Sequence, residues 1–307
     1  MTGVGQYGGV EFLHNLNLEG CDMFVGSREI QVIDEFAGVS FPALVMYPTC
    51  LPSVPTAFGA YSIDVSSNAS IAEGQYPLVV VSHGNGGSHL LYRTLTTHLA
   101  KNGYVVAMLE HAGNNRNNNE LEGKQQNLKN RPRHVRLTMD AVFSDDYLGA
   151  YVQQDSVAVI GHSIGGYTAL AVAGGTPWSE ARQKIEVDAD PRVRALVLLA
   201  PATAWFLPEG SLRDVTVPIL MLSAEHDSFT PGWHTDVVLD GVADRTQVTS
   251  RVVPNAGHFS FLSPFPPKMK NAAFLPSTDP EGFDRAAFHE ALGEEVLKYL
   301  DDKLKNA

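Results

Sequence analysis

The sequence contains the stretch Val157-Ala-Val-Ile-Gly161-His162-Ser163-Ile164-Gly165-Gly166, in which apolar residues typical of a buried strand run directly into small residues typical of a helix. A serine on such a tight turn projects its hydroxyl above the sheet, and glycines two residues away on either side avoid clashes. The first N–H groups of a helix have no acceptors within it and can stabilise an oxyanion. We therefore predict that Ser163 is a nucleophile and that the Ile164 amide is an oxyanion donor. The alternative is a packing turn whose serine caps a helix.

Short β-branched runs alternate with helix-length amphipathic segments on both sides of this stretch, which indicates an α/β protein with a mainly parallel sheet. We predict eight strands, of which the first two form an antiparallel pair, and helices on both faces of the sheet. The predicted strands are Arg28–Asp34, Phe41–Tyr47, Leu78–Ser82, Tyr104–Leu109, Ser156–Gly161, Val193–Leu199, Pro218–Ser223 and Val248–Val253. The predicted helices are Leu91–Lys101, Pro132–Ser144 with Pro132 in its first turn, Gly165–Ala173, Thr235–Leu239 and Phe283–Lys305.

The remaining segments favour one domain over residues 1–307 with decorated loops. Residues 1–24 form an N-terminal extension in this interpretation, and Leu51–Gln75 is a long surface loop because its Pro, Ser, Gly and Asn residues show no period. Residues 112–131 and 262–280 are candidate lid or pocket loops.

A serine nucleophile needs a base, and the chain offers eleven histidines. His258 follows the last predicted strand within a series of turn residues, which places it at the carboxyl edge of the sheet. His226 and His234 lie near the preceding strand, and His289 falls inside the final helix. We predict His258 as the base; the alternative is a loop histidine that is bonded to the backbone.

The base in turn needs an acid that holds its tautomer and stabilises the imidazolium. Two carboxylates, Glu225 and Asp227, follow the strand Pro218–Ser223, and we favour Asp227 because the turn that ends at Pro231 suits an acid-bearing loop. Asp227 capping the next helix is the alternative.

The second oxyanion donor is expected in the loop after the first parallel strand. The loop reads Ser82-His83-Gly84-Asn85-Gly86-Gly87, and its glycines let N–H groups face a substrate oxygen, so we predict the Asn85 backbone amide as the donor. A phosphate cradle is the rival interpretation, but neither the Walker A nor the dinucleotide-binding pattern is present.

These segments together resemble the α/β-hydrolase superfamily, and within it the dienelactone-hydrolase-like esterases related to platelet-activating-factor acetylhydrolases. The resemblance covers about residue 25 to the C-terminus. The matching segments are Gly26-Ser-Arg-Glu-Ile, Leu44-Val-Met-Tyr47-Pro48, the loop from Ser82 to Gly87 with Tyr92-Arg93, Asn102-Gly103-Tyr104-Val with Glu110-His111, Gly161 to Gly166, and Gly257-His258-Phe259-Ser-Phe261.

The resemblance also bears on the acid and the nucleophile. In the acetylhydrolase branch the acid follows the strand after the nucleophile, but the corresponding segment here, Leu199–Phe206, contains no carboxylate. The dienelactone hydrolases carry their acid one strand later, which implies Asp227. That branch commonly uses a cysteine nucleophile, whereas Ser163 indicates a serine esterase.

Aromatic residues next to the predicted catalytic loops favour an apolar pocket for an acyl group or a lactone. They are Trp205, Phe206, Phe229, Phe259 and Phe261, with Trp205 and Phe259 as the main candidates for substrate contact; core packing is the alternative. The basic run Lys129–Arg136 is interpreted as the solvated start of a helix, and the sharper alternative is a gate for anionic substrates.

Composition limits the partners and the location. Lys and Arg number 22 and Asp and Glu 34, so the net charge of −12 disfavours nucleic acid and anionic membranes as partners. Cys21 and Cys50 are interpreted as structural thiols, since they show no close pairing. The N-terminus lacks a secretory pattern, and no apolar run reaches the ~20 residues of a membrane span, which favours a soluble cytoplasmic protein.

The sequence therefore predicts a serine hydrolase of small-molecule carboxylic esters or lactones that needs no metal or cofactor. Two alternatives stay open: a lactonase that opens acyl-homoserine lactone signals, and a non-catalytic small-molecule-binding protein of the same fold. The oligomeric state is not predicted.

Overall fold

The central sheet has ten strands, two more than the eight predicted. The computed structural model describes residues 21–306, so the predicted extension at residues 1–24 lies mostly outside the described residues. The strand order is β10-β9-β8-β7-β5-β6-β2-β1-β4-β3. The strands are β1 Phe24–Asp34, β2 Val39–Thr49, β3 Val54–Phe58, β4 Tyr61–Ser67, β5 Tyr76–Ser82, β6 Val105–Leu109, β7 Val152–His162, β8 Val193–Leu199, β9 Ile219–Ala224 and β10 Val248–Val253.

Six neighbouring strands, β5 to β10, run parallel and form the centre and one side of the sheet. The first two strands form the predicted antiparallel hairpin through Gly38, and β2 joins β6 antiparallel. The carboxyl ends of the parallel strands therefore meet at one edge, where α/β proteins carry their ligand sites.

The two additional strands, β3 and β4, lie within Leu51–Gln75, where the prediction of a surface loop was wrong. Tyr61, Ile63 and Val65 of β4 are buried while the residues between them are largely exposed, the alternation of a half-buried strand. β3 pairs antiparallel with β4, and β4 pairs with β1 over only two residue pairs. This short ladder depends on the β1–β2 hairpin, so the local sequence gives a weak signal.

Helices cover both faces of the sheet, as predicted. One face packs against α2 and α3 through residues such as Val135, Met139 and Leu170, and the other against α1 and α5 through residues such as Leu95 and Val296. Because both faces are covered, the central strands are continuously apolar. The helices are α1 Arg93–Lys101, α2 Gln125–Ser144, α3 Ile164–Val172, α4 Trp233–Gly241 and α5 Arg285–Leu300, followed by a π-helical turn at Asp301–Lys305.

Helix α2 begins at Gln125 rather than at Pro132, so the expectation that Pro132 lies in the first turn was wrong. A proline inside a helix leaves the carbonyl four residues earlier without its usual donor. Here the hydroxyl of Tyr167 donates to that carbonyl, on Leu128, at 3.0 Å. This tertiary bond compensates for the missing backbone bond.

Cys21 and Cys50 form a disulfide, with their α-carbons 5.8 Å apart, so the interpretation of two thiols was wrong. Cys21 precedes β1 and Cys50 follows β2, and the hairpin register pairs Phe24 with Thr49. The hairpin therefore brings together two cysteines that are 29 residues apart in the sequence. Among the helices of the described residues, none is long and apolar enough to cross a membrane.

Candidate active site

Ser163 lies on the sharp turn between β7 and α3, with φ 56° and ψ −122°. This backbone conformation is strained for a residue with a side chain. A Cβ added at Gly161 would lie 2.1 Å from the Gly165 carbonyl oxygen, and one added at Gly165 would lie 2.0 Å from the Ser82 carbonyl oxygen. The Gly-x-Ser-x-Gly spacing is therefore a packing requirement of this turn.

His258 and Asp227 come from the loops after β10 and β9 and form a buried pair. The His258 Nδ1 lies 2.7 Å from the Asp227 Oδ2, and their side chains are only 4% and 1% exposed. The carboxylate also accepts bonds from the Phe229 and Thr230 backbone amides and from the Thr230 hydroxyl, each at 2.8 Å. The structure thus places together the two residues that the sequence predicts as base and acid.

The environment keeps the Asp227 carboxyl group ionised. Burial alone would raise its pKa, but the hydrogen bond and the electrostatic attraction of the His258 ring, together with the bonds from Thr230, lower the pKa to about 2. An ionised carboxylate can only accept hydrogen bonds, so the bonded Nδ1 of His258 carries a proton. The Nε2 of His258 is then left to act as a base.

The alternative acid and bases lie elsewhere. Glu225 accepts a bond from the Asn255 backbone amide at 2.7 Å on the exposed surface. His234 Nδ1 is bonded to Thr203, and His289 Nε2 lies 3.1 Å from the Ser260 carbonyl oxygen. None of these three side chains lines the cleft that contains Ser163.

Ser163 and His258 line a common cleft of about 490 Å³. Phe229 and Phe259 form one side of it, with their ring centroids 5.1 Å apart and each about 5 Å from the His258 ring. Much of the remaining wall is apolar or aromatic. The other apolar and aromatic lining residues are Tyr61, Leu91, Tyr92, Leu262, Met269, Phe274 and Pro276.

Asn85, in the loop after β5, lines this cleft. The Gly84 carbonyl of the same peptide unit accepts bonds from His83 Nδ1 at 2.7 Å and from the Gly87 amide at 3.1 Å. These two donors fix the orientation of the peptide unit. Within residues 21–306, neither the Asn85 N–H nor the Ile164 N–H has an acceptor. Both predicted oxyanion donors are therefore free to bind a substrate oxygen. Ile164 follows Ser163 in the sequence, and Asn85 lines the same cleft as Ser163.

A hydrogen-bonded chain that the sequence analysis missed links the three catalytic loops. The Gly84 N–H donates to the Tyr92 hydroxyl at 3.1 Å, which lies 3.0 Å from His162 Nδ1, and His162 Nε2 lies 3.0 Å from the His258 carbonyl oxygen. Burial lowers the pKa of His162 to about 3, so its ring is neutral. The Tyr92 hydroxyl accordingly donates to Nδ1, and Nε2–H donates to His258. His162 directly precedes Ser163, the predicted nucleophile, in the sequence, which is the only local signal for this role.

Arg131 is fully buried, so the interpretation of Lys129–Arg136 as a solvated helix start was wrong for this residue. Burial lowers its pKa to about 9, which still leaves it protonated at neutral pH. Its guanidinium donates to the His83 carbonyl behind the oxyanion loop, to Asn114 Oδ1 at 2.6 Å, to Thr168 at 3.0 Å and to Ser82 at 3.3 Å. Arg131 therefore supports the loop that carries Asn85.

Two other arginines of this run pair with acidic residues away from the cleft. Arg133 lies 2.7 Å from Asp34, and Arg136 lies 2.6 Å from Asp188. Neither lines the cleft, so the run does not form the gate for anionic substrates that was the alternative interpretation.

Trp205 does not line the cleft, which corrects its assignment as a substrate contact. Its ring packs edge-on against Tyr167 at 5.0 Å and lines a separate cavity with Trp178. Phe206 and Phe261 are buried in the two apolar cores. Of the five predicted pocket aromatics, Phe229 and Phe259 are the two that reach the cleft.

Both candidate loops contribute to the cleft, although a lid function stays a prediction. The 112–131 segment contributes Arg116, and the 262–280 segment contributes Leu262, Met269, Phe274 and Pro276. Within residues 21–306, no group of three or more His, Cys, Asp or Glu side chains could hold a metal ion.

Comparisons with known proteins agree with this architecture. The family model of platelet-activating factor acetylhydrolase, isoform II, matches residues 37–139. The platelet-activating factor acetylhydrolase of Canis lupus familiaris is 22% identical over 218 residues, covering 56% of this chain and 45% of that protein. Cutinase est1 of Thermobifida alba is 25% identical over 188 residues, covering 60% of this chain and 54% of that protein. The chain thus spans about half the length of these curated relatives.

Among solved structures, a ferulic acid esterase from Streptomyces cinnamoneus superposes with a TM-score of 0.70 at 18% identity, covering 94% of this chain and 92% of the other. At this identity the likeness concerns the fold. Together with the sequence matches it confirms the predicted resemblance to α/β-hydrolases and platelet-activating factor acetylhydrolases, whereas the dienelactone-hydrolase branch stays a prediction. The chain therefore has the α/β-hydrolase fold, and part of its sequence resembles the platelet-activating factor acetylhydrolases.

Proposed function

We propose that this chain is a serine hydrolase that cleaves carboxylic esters and lactones through an acyl-enzyme intermediate. The observation that carries the proposal is the buried Asp227–His258 pair, 2.7 Å apart, whose His258 lines the same cleft as Ser163 on its strained turn. The chain order Ser163, Asp227, His258 agrees with the order found in hydrolases that use this turn.

In this mechanism each group has one step. The Ser163 Oγ attacks the carbonyl carbon while its proton passes to His258 Nε2, and Asp227 stabilises the imidazolium that forms. The carbonyl oxygen becomes an oxyanion that accepts bonds from the Asn85 and Ile164 amides. When the intermediate collapses, His258 returns the proton to the leaving alkoxide. Water, deprotonated by His258, then attacks the acyl group and restores Ser163.

The cleft favours substrates with apolar or aromatic groups. Its walls carry aromatic rings from Tyr61, Phe229, Phe259 and Phe274. The matched relatives and the superposed structure are named as an acetylhydrolase, a cutinase and a ferulic acid esterase, and ester hydrolysis is the chemistry that these names share.

The test measures hydrolysis of a panel of substrates by the parent protein, by Ser163→Ala and by the control Ser228→Ala. Ser228 is an exposed serine next to the acid that does not line the cleft. We expect the parent and the control to hydrolyse activated esters and to bind a fluorophosphonate covalently, and Ser163→Ala to do neither. Labelling and turnover by Ser163→Ala at the parent's level would refute the mechanism.

The same panel separates the alternatives. Esters graded by acyl length and lactones, acyl-homoserine lactones included, are compared by kcat/KM, and faster turnover of lactones would favour the lactonase. Binding without turnover and without a covalent adduct would favour a non-catalytic binding protein.

The disulfide Cys21–Cys50 favours an oxidising compartment over the cytoplasmic location predicted from the sequence.

A further inference from the structure

We infer that Arg116 binds an anionic group on the substrate, so that the cleft prefers esters that carry a carboxylate or a phosphate. The inference rests on the proposed function and names the substrate class of that same site. It follows from the position of Arg116, from the way its loop is held and from the distribution of charge around the cleft.

Arg116 lies at the cleft that contains Ser163 and His258. Its backbone N–H donates to the Gly87 carbonyl at 2.8 Å, and Gly87 belongs to the glycine-rich loop that presents the Asn85 amide. The guanidinium is therefore carried on backbone that is bonded directly to the oxyanion loop. Because Arg116 lines the same cleft as Ser163, a substrate that fills the cleft lies beside Arg116.

The asparagine-rich loop around Arg116 is held in one conformation by its own side chains. The Asn115 Oδ1 accepts bonds from the Asn117 and Asn118 amides at 2.9 and 3.0 Å. The Asn114 Nδ2 donates to Asn85 Oδ1 at 2.7 Å, which ties the loop to the predicted oxyanion donor. These bonds give the sequence run of asparagines a physical role: they position Arg116 relative to the reacting centre.

Arg116 is the one permanently charged side chain among the described residues that line the cleft, which include no Asp, Glu or Lys. In residues 21–306 it forms no ion pair, whereas Arg133, Arg136 and Arg251 each pair with a carboxylate. No carboxylate of the described residues therefore lies within ion-pair distance of Arg116, although the chain as a whole carries a net charge of −12.

Arg116 also acts electrostatically on Tyr61 in the cleft wall. Burial raises the pKa of Tyr61, and the positive charges of Arg93 and Arg116 act in the opposite direction. Tyr61 lines the same cleft. An anion placed between the aromatic wall and Arg116 would therefore meet a positive potential.

The guanidinium suits carboxylate and phosphate because its planar fork can donate two parallel hydrogen bonds to either group. The surrounding rings would contact the apolar part of the same molecule. The favoured substrate is thus an ester whose apolar body ends in an anionic group, and not a fully neutral ester.

The experiment compares matched ester pairs on the parent, Arg116→Gln, Arg116→Lys and a control, Arg194→Gln. Arg194 is also exposed but lies at the start of β8, at the opposite edge of the sheet, and the control removes the same charge. The leaving-group series is 4-carboxyphenyl, 4-phosphonophenyl and neutral 4-carbamoylphenyl butyrate. The acyl series is the 4-methylumbelliferyl ester of glutaric acid against that of its monoamide.

We expect the parent to prefer the anionic member in at least one series, and Arg116→Gln to reduce the ratio of kcat/KM values about two- to fivefold, the range for an exposed ion pair. The loss should appear in KM, Arg116→Lys should retain part of the preference, and about 1 M NaCl should weaken it in the parent. Arg194→Gln should leave the ratio unchanged.

An unchanged ratio in Arg116→Gln, or an equal change in Arg194→Gln, would overturn the inference while turnover of the neutral esters upholds the proposed function. Failure of the parent to hydrolyse any member of either series would overturn both. The relative rates of the carboxylate and phosphonate esters show which anion the site prefers.

Discussion

Replacing Asp227 by asparagine should stop catalysis almost completely while preserving the fold. The carboxylate accepts bonds from the Phe229 and Thr230 amides through Oδ1, and from the Thr230 hydroxyl and His258 Nδ1 through Oδ2. An asparagine can keep its oxygen on the two backbone amides, and its NH₂ group then faces His258. Because that group donates, His258 must place its proton on Nε2, where it can no longer accept the proton of Ser163.

The wrong tautomer sets the size of the effect. In triads of this type the loss in kcat is about 10⁴-fold, equivalent to about 5 kcal/mol in the activation barrier. Because the pKa of Asp227 is about 2, its carboxylate stays ionised in any ordinary assay buffer and the loss should be the same from mildly acidic to alkaline pH. Circular dichroism and denaturant unfolding of Asp227→Asn check that the fold is retained.

The matched control is Glu225→Gln, two residues away. Glu225 accepts a bond from the Asn255 amide and makes no bond to His258, so kcat should stay at the parent's value. Measured with 4-nitrophenyl butyrate, a loss below tenfold in Asp227→Asn, or a larger loss in Glu225→Gln, would refute the assignment of the acid.

Three further measurements concern stability. Gly165→Ala should lower the free energy of unfolding by about 1–3 kcal/mol or more and reduce activity, because the new methyl group would lie 2.0 Å from a backbone oxygen. Gly232→Ala, where the new methyl group has no atom within 4 Å, should change neither property. Equal effects of the two substitutions would contradict the packing argument. Cys50→Ser should lower the free energy of unfolding by about 2–4 kcal/mol because it removes the disulfide to Cys21. A reductant should destabilise the parent but not Cys50→Ser. Burial lowers the pKa of His289 to about 4. Below about pH 6.5 the unfolded chain therefore binds a proton at His289 that the folded protein does not bind, and the free energy of unfolding falls as the pH drops from about 6.5 toward 4. His289→Gln should reduce that slope in urea titrations by up to about 1.4 kcal/mol per pH unit, and an unchanged slope would contradict the assignment.

The central parallel strands could be predicted from the sequence because both of their faces are buried, whereas the edge strand β10 is largely exposed and was predicted from its β-branched residues. Val193–Leu199 and Val248–Val253 match the structure to the residue. β3 and β4 could not be recognised in the same way, because they are short, partly exposed and paired through tertiary contact with β1. The disulfide likewise depends on the hairpin register, which composition does not reveal.

In the candidate site, too, some positions follow from the local sequence and others depend on contacts with distant segments. The turn at Ser163 and the loops of Asp227 and His258 follow from strand ends that meet at one edge of the sheet. The burial of Arg131 depends on acceptors from three other segments, so a local run of basic residues wrongly indicated a solvated surface. Trp205 follows a strand near the site, yet its ring faces Tyr167 instead, because position in the chain does not fix the direction of a side chain.

The proposed mechanism requires that the acyl group of the substrate becomes covalently bound to Ser163. The most direct measurement is rapid acid quenching of the parent with 4-nitrophenyl butyrate, followed by intact mass spectrometry and peptide mapping. We expect a transient butyryl adduct on the peptide that contains Ser163, and no adduct in Ser163→Ala. Hydrolysis without an adduct in the parent, or an adduct on another residue, would contradict it.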